Sequence, residues 1–114
     1  MKHKTSELTG PLLDAAVALA LGWAPVAGRL YWFRAADNVT SDPCGLFPPP
    51  YSSSWFDGGP IKARERISTH YRNDGTVDAV LPGDNQWPWT GQTELEAAMR
   101  AFVSAKLGDE VELP

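Results

Sequence analysis

The sequence predicts an α+β fold: a small antiparallel sheet centred on a hairpin over residues 61–81, packed against two helices at about 10–21 and 94–107. Three observations predict it. Even and odd positions separate between Ile61 and Arg72, the period of two expected of a strand with one wet face. Asn73-Asp74-Gly75 then supplies residues that accept positive φ, as a tight hairpin turn requires, and Val77 to Leu81 forms the returning strand. On either side of this region, apolar residues recur at i, i+3 and i+4, the spacing of amphipathic helices.

Composition sets the frame. A chain of 114 residues reads as one domain, 1–114, interrupted by an irregular proline-rich loop at about 37–54. Its 43% apolar and 21% charged content is that of a soluble globular protein. With 10 basic and 14 acidic residues the net charge is -4, which argues against bulk nucleic-acid binding while leaving room for a local basic patch. Cys44 is the single cysteine, so no intrachain disulfide forms, which suits a reducing cytosol.

Taken in order, Met1 to Leu8 has a short alternating start that predicts a strand pairing with a distant segment. Lys2 and Lys4 before an apolar stretch look like a secretory signal, but Glu7 and Asp14 interrupt it. Gly22 and Pro25 break the same stretch as a bilayer span, so no membrane contact is expected. It reads instead as a buried helix. Thr9 is its N-cap, Pro11 sits in the first turn and Gly22 stops it. Leu12, Leu13, Ala16, Val17, Ala20 and Leu21 give the apolar face. The other face holds Asp14 and alanines, so this helix lies either deep in the fold or against a second copy of the chain, as in a homodimer.

Arg29 to Arg34 is an aromatic run that predicts a strand. Pro48-Pro49-Pro50 excludes a central strand or helix in the long loop that follows. Gly58-Gly59-Pro60 reads as a turn into the hairpin. A second reading makes Pro60 to Arg66 a helical turn and starts the strand at Ile67, which fragments the basic stripe described below. Pro82 to Gln92 is another loop. Thr93 to Glu96 matches a capping box, and Leu95, Ala98, Met99, Phe102, Val103 and Leu107 form one apolar face. Glu96 and Arg100 pair at i, i+4, Lys106 suits the C-terminal dipole, and Gly108 stops the helix. Val111 and Leu113 offer a short edge strand.

No feature demands catalysis, and no cofactor is implied. His3, His70 and Cys44 lack the spacing of a metal site. Gly58-Gly59-Pro60 lacks a lysine, and its proline removes an N–H that an anion nest uses. Glu94 with Glu96 and Glu110 with Glu112 read as solvated charge; Asp57 with Glu65 is a looser acid–base candidate. Two surface features remain. Lys62, Arg64, Arg66 and Arg72 on one strand face, beside Tyr71 and Trp55, suit phosphate contacts with stacking, against the simpler reading of a solvated edge. Of the 5 tryptophans, Trp55, Trp87 and Trp89 lie in or beside loops, where they either complete a small core or anchor an interface.

The order of three segments resembles a known family. Lys4-Thr5-Ser6-Glu7-Leu8-Thr9-Gly10 precedes an alanine-rich helix, and Gly58-Gly59-Pro60-Ile61 leads into Arg64-Glu65-Arg66-Ile67-Ser68. Ala97-Ala98-Met99-Arg100 runs through Val103 to Lys106-Leu107-Gly108-Asp109-Glu110-Val111. Together they resemble the small bacteriophage NinX-like proteins, while residues 23–50 depart from that pattern and nothing is carried across them. The resemblance implies a phage or prophage accessory protein in the bacterial cytosol, and it assigns no activity, cofactor or mechanism. The expected function is therefore non-enzymatic binding of a host or phage protein. Its expected surface is Trp55, Asp57, Gly58, Gly59, Pro60, Arg64, Arg66, Trp87 and Trp89. The alternative is a nucleic-acid-binding accessory protein that uses the basic strand face.

Overall fold

The computed structural model describes residues 1–42, 47–83 and 88–113. Among the described residues eight strands and three α-helices follow one another as β1 (Lys2–Lys4), α1 (Gly10–Ala20), β2 (Trp23–Pro25), β3 (Trp32–Arg34), β4 (Val39–Thr40), α2 (Trp55–Arg64), β5 (Ser68–Tyr71), β6 (Val77–Val80), β7 (Trp89–Gly91), α3 (Glu94–Leu107) and β8 (Glu110–Glu112). They form an α+β fold with three small antiparallel sheets, ordered β1-β8, β2-β3-β4 and β5-β6-β7.

The organising element is α3. It touches α1, α2, β5, β6, β7 and β8, and no other helix reaches as many neighbours. Its sequence explains this: Ala97, Ala98 and Ala101 are buried together with Leu95, Met99, Phe102 and Val103, so the helix is covered well beyond one stripe. Leu107, expected on that face, is partly exposed. Thr93 Oγ1 accepts the Glu96 N–H at 3.1 Å, as the capping box requires. The return half is shifted by one residue, because Glu96 Oε1 takes the Gln92 N–H at 2.9 Å. Gly108, at φ 91, ends the helix.

Close approach of β7 to α3 depends on Gly91, where a Cβ would stand 2.6 Å from the Ala97 backbone nitrogen. On the sheet itself Val77 and Ala79 point into the core and alternate with Asp78 and Val80. β5 and β6 pair from Ser68↔Val80 to Tyr71↔Val77, so the expected hairpin is present.

Its first strand is shorter than the alternation implied. Residues 61–64 belong to α2, a third helix, and the chain turns at Arg66 before β5 begins. The turn from α2 into β5 is a Schellman motif: Ile67 N–H donates to Lys62 O at 3.1 Å and Arg66 N–H to Ala63 O at 3.2 Å. Arg66 occupies the left-handed position at φ 54, where glycine is usual. Gly58-Gly59-Pro60 is accordingly helical and not a turn. Tertiary contact overrides local propensity here. Gly58 lies against Tyr51 and Leu95, where a Cβ would collide with the Tyr51 carbonyl oxygen, and Ile61 is buried one turn on.

α1 ends at Leu21, with Gly22 at φ 96 in the expected stopping position. Leu13, Ala16 and Val17 are buried against the core, while Leu12 is exposed. Asp14 is buried too, and its Oδ1 accepts the Ser52 N–H at 2.8 Å. The chain after the prolines thus covers the Asp14 side of the helix. Beyond α1, the β2-β3-β4 sheet carries an aromatic cluster in which Phe47 sits 4.8 Å from Trp23 and 5.6 Å from Trp32. Arg34 lies 4.6 Å over the Trp23 ring and its Nε donates to Asp37 at 2.7 Å. β1 and β8 pair with Lys2 opposite Glu112 and Lys4 opposite Glu110, so each of the two expected terminal strands is the other's partner.

Candidate functional site

Helix α2 begins at Ser54, whose carbonyl accepts N–H groups from Asp57 at 3.1 Å and Gly58 at 2.8 Å. Gly58 and Ile61 face the core. Trp55 and Phe56, in the first turn, are left in solvent at 55% and 89% exposure. Gly59 helps to seat the indole, since a Cβ there would stand 3.4 Å from Trp55 Cε3. At the end of β5, Tyr71 is 73% exposed. Large aromatic side chains exposed to this degree are of the kind that marks interaction sites.

Trp55 and Tyr71 border a cleft of about 300 Å³, which Ser53, Gln92, Thr93, Glu94 and Leu95 also line. Glu94 is held by Thr69, whose Oγ1 donates to Glu94 Oε1 at 2.9 Å. A second cleft of about 470 Å³ lies between Trp89, Thr90, Ser6 and Asp109, with Arg100 in its wall. Gln92 belongs to both. Trp55 and Trp89 therefore border adjoining hollows on either side of the junction between β7 and α3.

Arg100 is fixed in place. It donates from Nε to Leu8 O at 2.8 Å and from Nη1 to Thr90 O at 2.7 Å, and it lies 3.6 Å from Glu96. The i, i+4 pair predicted on a solvated face is thus largely enclosed and ties three segments together.

The basic stripe is not a strand face. Lys62 and Arg64 are on α2, Arg66 is in the turn and Arg72 follows β5. Arg64 pairs with Glu65 at 3.1 Å and Arg72 with Asp78 at 3.6 Å. The alternating pattern arose because a short helix and a short strand happen to abut. Asp57 and Glu65 stand at opposite ends of α2, so they do not form an acid–base pair. Asp57 instead adds to the field at Tyr51, whose phenol is pushed up to about 12, chiefly by burial. Pro60 is on the exposed side of α2. Trp87 and Cys44 lie outside the described residues. Among the described residues no three His, Cys, Asp or Glu side chains converge as a metal site would need, and no helix is long and apolar enough to cross a membrane.

Sequence reasoning left Phe56 out of the candidate site residues and read Glu94 only as solvated charge beside Glu96. Phe56 had a signal, being one of two adjacent aromatics beside a polar serine run. Glu94 had none, since only the fold brings it opposite Trp55 and Tyr71.

Comparison with curated protein sequences finds no match. Residues 4–106 match the family described as bacteriophage P22, NinX, and the match runs through residues 23–50, where the resemblance carried nothing. A match over nearly the whole chain shows the family: this protein belongs to the bacteriophage NinX family.

Proposed function

We propose that this phage accessory protein works without catalysing a reaction, by docking a host or phage protein in the cytoplasm of the bacterial host. The observation that carries the reading is the exposed pair Trp55 and Tyr71 lining the cleft beside α2, with Phe56 exposed next to Trp55 in the first turn of the helix. Aromatic side chains at such densities are the usual energetic anchors of protein interfaces. The rigid seating of α2 on Tyr51 and Leu95 presents them with little ordering cost on binding. Ion pairing of Arg64 and Arg72 within the chain favours a protein partner over a phosphate backbone.

The test is affinity capture from infected cells with the intact protein as bait, compared with a Trp55→Ala, Phe56→Ala bait. A stoichiometric partner retained by the first and lost by the second supports docking at this surface. Equal capture by both folded baits moves the interface elsewhere, and background alone removes the reading.

A further inference from the structure

We propose that the cleft between Trp55 and Tyr71 receives one arginine side chain of the protein partner, with Glu94 as its counter-charge. This rests on the docking reading above and gives it a chemistry. Among the described residues that line the cleft, Glu94 is the only charged one; Ser53, Gln92 and Thr93 are neutral and polar, and no cation is present. A single carboxylate between aromatic walls focuses a negative potential into a partly desolvated space. Both aromatic rings present exposed surface beside it, the arrangement in which a cation gains from the ring quadrupole. Thr69 binds Glu94 Oε1 and holds the carboxylate, which leaves Oε2 for an incoming donor.

Among the described residues the chain builds the same combination within itself. There an arginine, Arg34, lies over an indole, Trp23, and donates to a carboxylate, Asp37. The α2 cleft offers the indole and the carboxylate without the arginine. At about 300 Å³ it is at the small end of ligand clefts, which suits one inserted side chain and not a cofactor. A planar guanidinium stacks on aromatic faces and hydrogen-bonds in its own plane, which a compact ammonium does not do. A nucleic-acid phosphate meets the like charge of Glu94 here.

The experiment is an NMR titration of the full-length ¹⁵N-labelled protein, with the Trp55 indole N–H assigned through Trp55→Phe. The probes are N-acetyl-arginine amide, its uncharged isostere N-acetyl-citrulline amide, and N-acetyl-lysine amide. The arginine probe should shift the Trp55 indole saturably, at least tenfold more tightly than citrulline and more tightly than lysine. Glu94→Gln, which keeps the acceptor for Thr69, and Tyr71→Leu, on an exposed position, should each weaken it at least fivefold with an otherwise unchanged spectrum. Absence of a saturable shift, equal binding of citrulline, or an unaffected Glu94→Gln variant overturns the proposal, and tighter binding of the lysine probe overturns the choice of arginine. If a captured partner depends on Trp55 and Phe56 but ignores Glu94→Gln and excess arginine probe, docking stands and the arginine receptor falls.

Discussion

Arg100 donates to the carbonyl of Leu8 across 92 positions of sequence, at 2.8 Å, and so joins the central helix to the segment that leads into α1. The same guanidinium holds Thr90 O in β7. Its side chain is only 14% exposed. Removing it strands two carbonyls and leaves Glu96 without its partner. Arg100→Met should therefore lower stability by about 3 kcal/mol in urea denaturation, at an unchanged m-value. Arg100→Lys should recover less than half, because one ammonium cannot serve both carbonyls in the geometry of the fork. A loss under 1 kcal/mol for Arg100→Met would show that water replaces these bonds.

Arg66 closes the Schellman turn after α2 in the left-handed region at φ 54. A non-glycine residue there is strained by roughly 1–2 kcal/mol, partly offset by the freedom glycine regains when unfolded. Arg66→Gly should stabilise the protein by about 0.5–1 kcal/mol, and Arg66→Val should destabilise it by more than that. Chemical denaturation of the three proteins side by side measures both signs.

Gly58 and Gly59 are neighbours with opposite expectations. A methyl group on Gly58 meets the Tyr51 carbonyl and Leu95, whereas on Gly59 it only touches Trp55 Cε3 at 3.4 Å. Gly58→Ala should cost about 1–3 kcal/mol through overpacking. Gly59→Ala should be neutral or stabilise by up to about 1 kcal/mol through helix propensity. Thermal melts that ranked the two alike would mean that α2 does not pack on Tyr51 as described.

Tyr51 should contribute to the alkaline limb of stability. Its folded pKa, raised to about 12, lies above the unfolded value of 10.0, so the folded state holds the proton more firmly. The stabilisation is complete below the unfolded value and disappears as pH rises through the folded one, a window from about 10 to 12 worth roughly 2 kcal/mol. Tyr51→Phe should flatten that part of the stability profile, and spectrophotometric titration should show one tyrosine ionising late. At the acid end the signs reverse. Hydrogen bonds from Arg34 and Thr76 hold Asp37 and Asp74 below the usual carboxylate range, so their small surface contributions fade as pH falls below it.

Much of the architecture was legible in local patterns. Gly22 marks the end of α1, and the Thr93 cap and Gly108 delimit α3, while the Thr9 hydroxyl donates to Glu96 and does not cap α1; the Asn73-Asp74-Gly75 turn sets the β5–β6 hairpin. The largest error fell on residues 55–67, and the short strands Trp23–Pro25, Val39–Thr40 and Trp89–Gly91 lie where a loop or no element was expected. Two glycines and a proline argue locally against a helix, and the compensating contacts come from the Tyr51 carbonyl and from Leu95, which lies far from Gly58 in sequence. The candidate surface divided in the same way. Exposed tryptophan beside a loop was a usable signal for Trp55, but the cleft that gives it meaning needs Tyr71 from β5 and Glu94 from α3. Period two over Lys62 to Arg72 was misleading, because residues of a short helix and a short strand were read as one face.

The pairing of Lys2–Lys4 with Glu110–Glu112 also bears on how the chain acquires its shape during synthesis. At about 5–20 residues per second, β1 leaves the ribosome several seconds before its partner is made. α1 waits almost as long for α3, against which it buries Leu13 and Val17. The hairpin of β5 and β6 can close on its own schedule, whereas most of the apolar interior comes together only after residues 94–107 emerge. Nascent chains arrested before that point should be sensitive to protease through their N-terminal half, and become resistant once the central helix clears the exit tunnel.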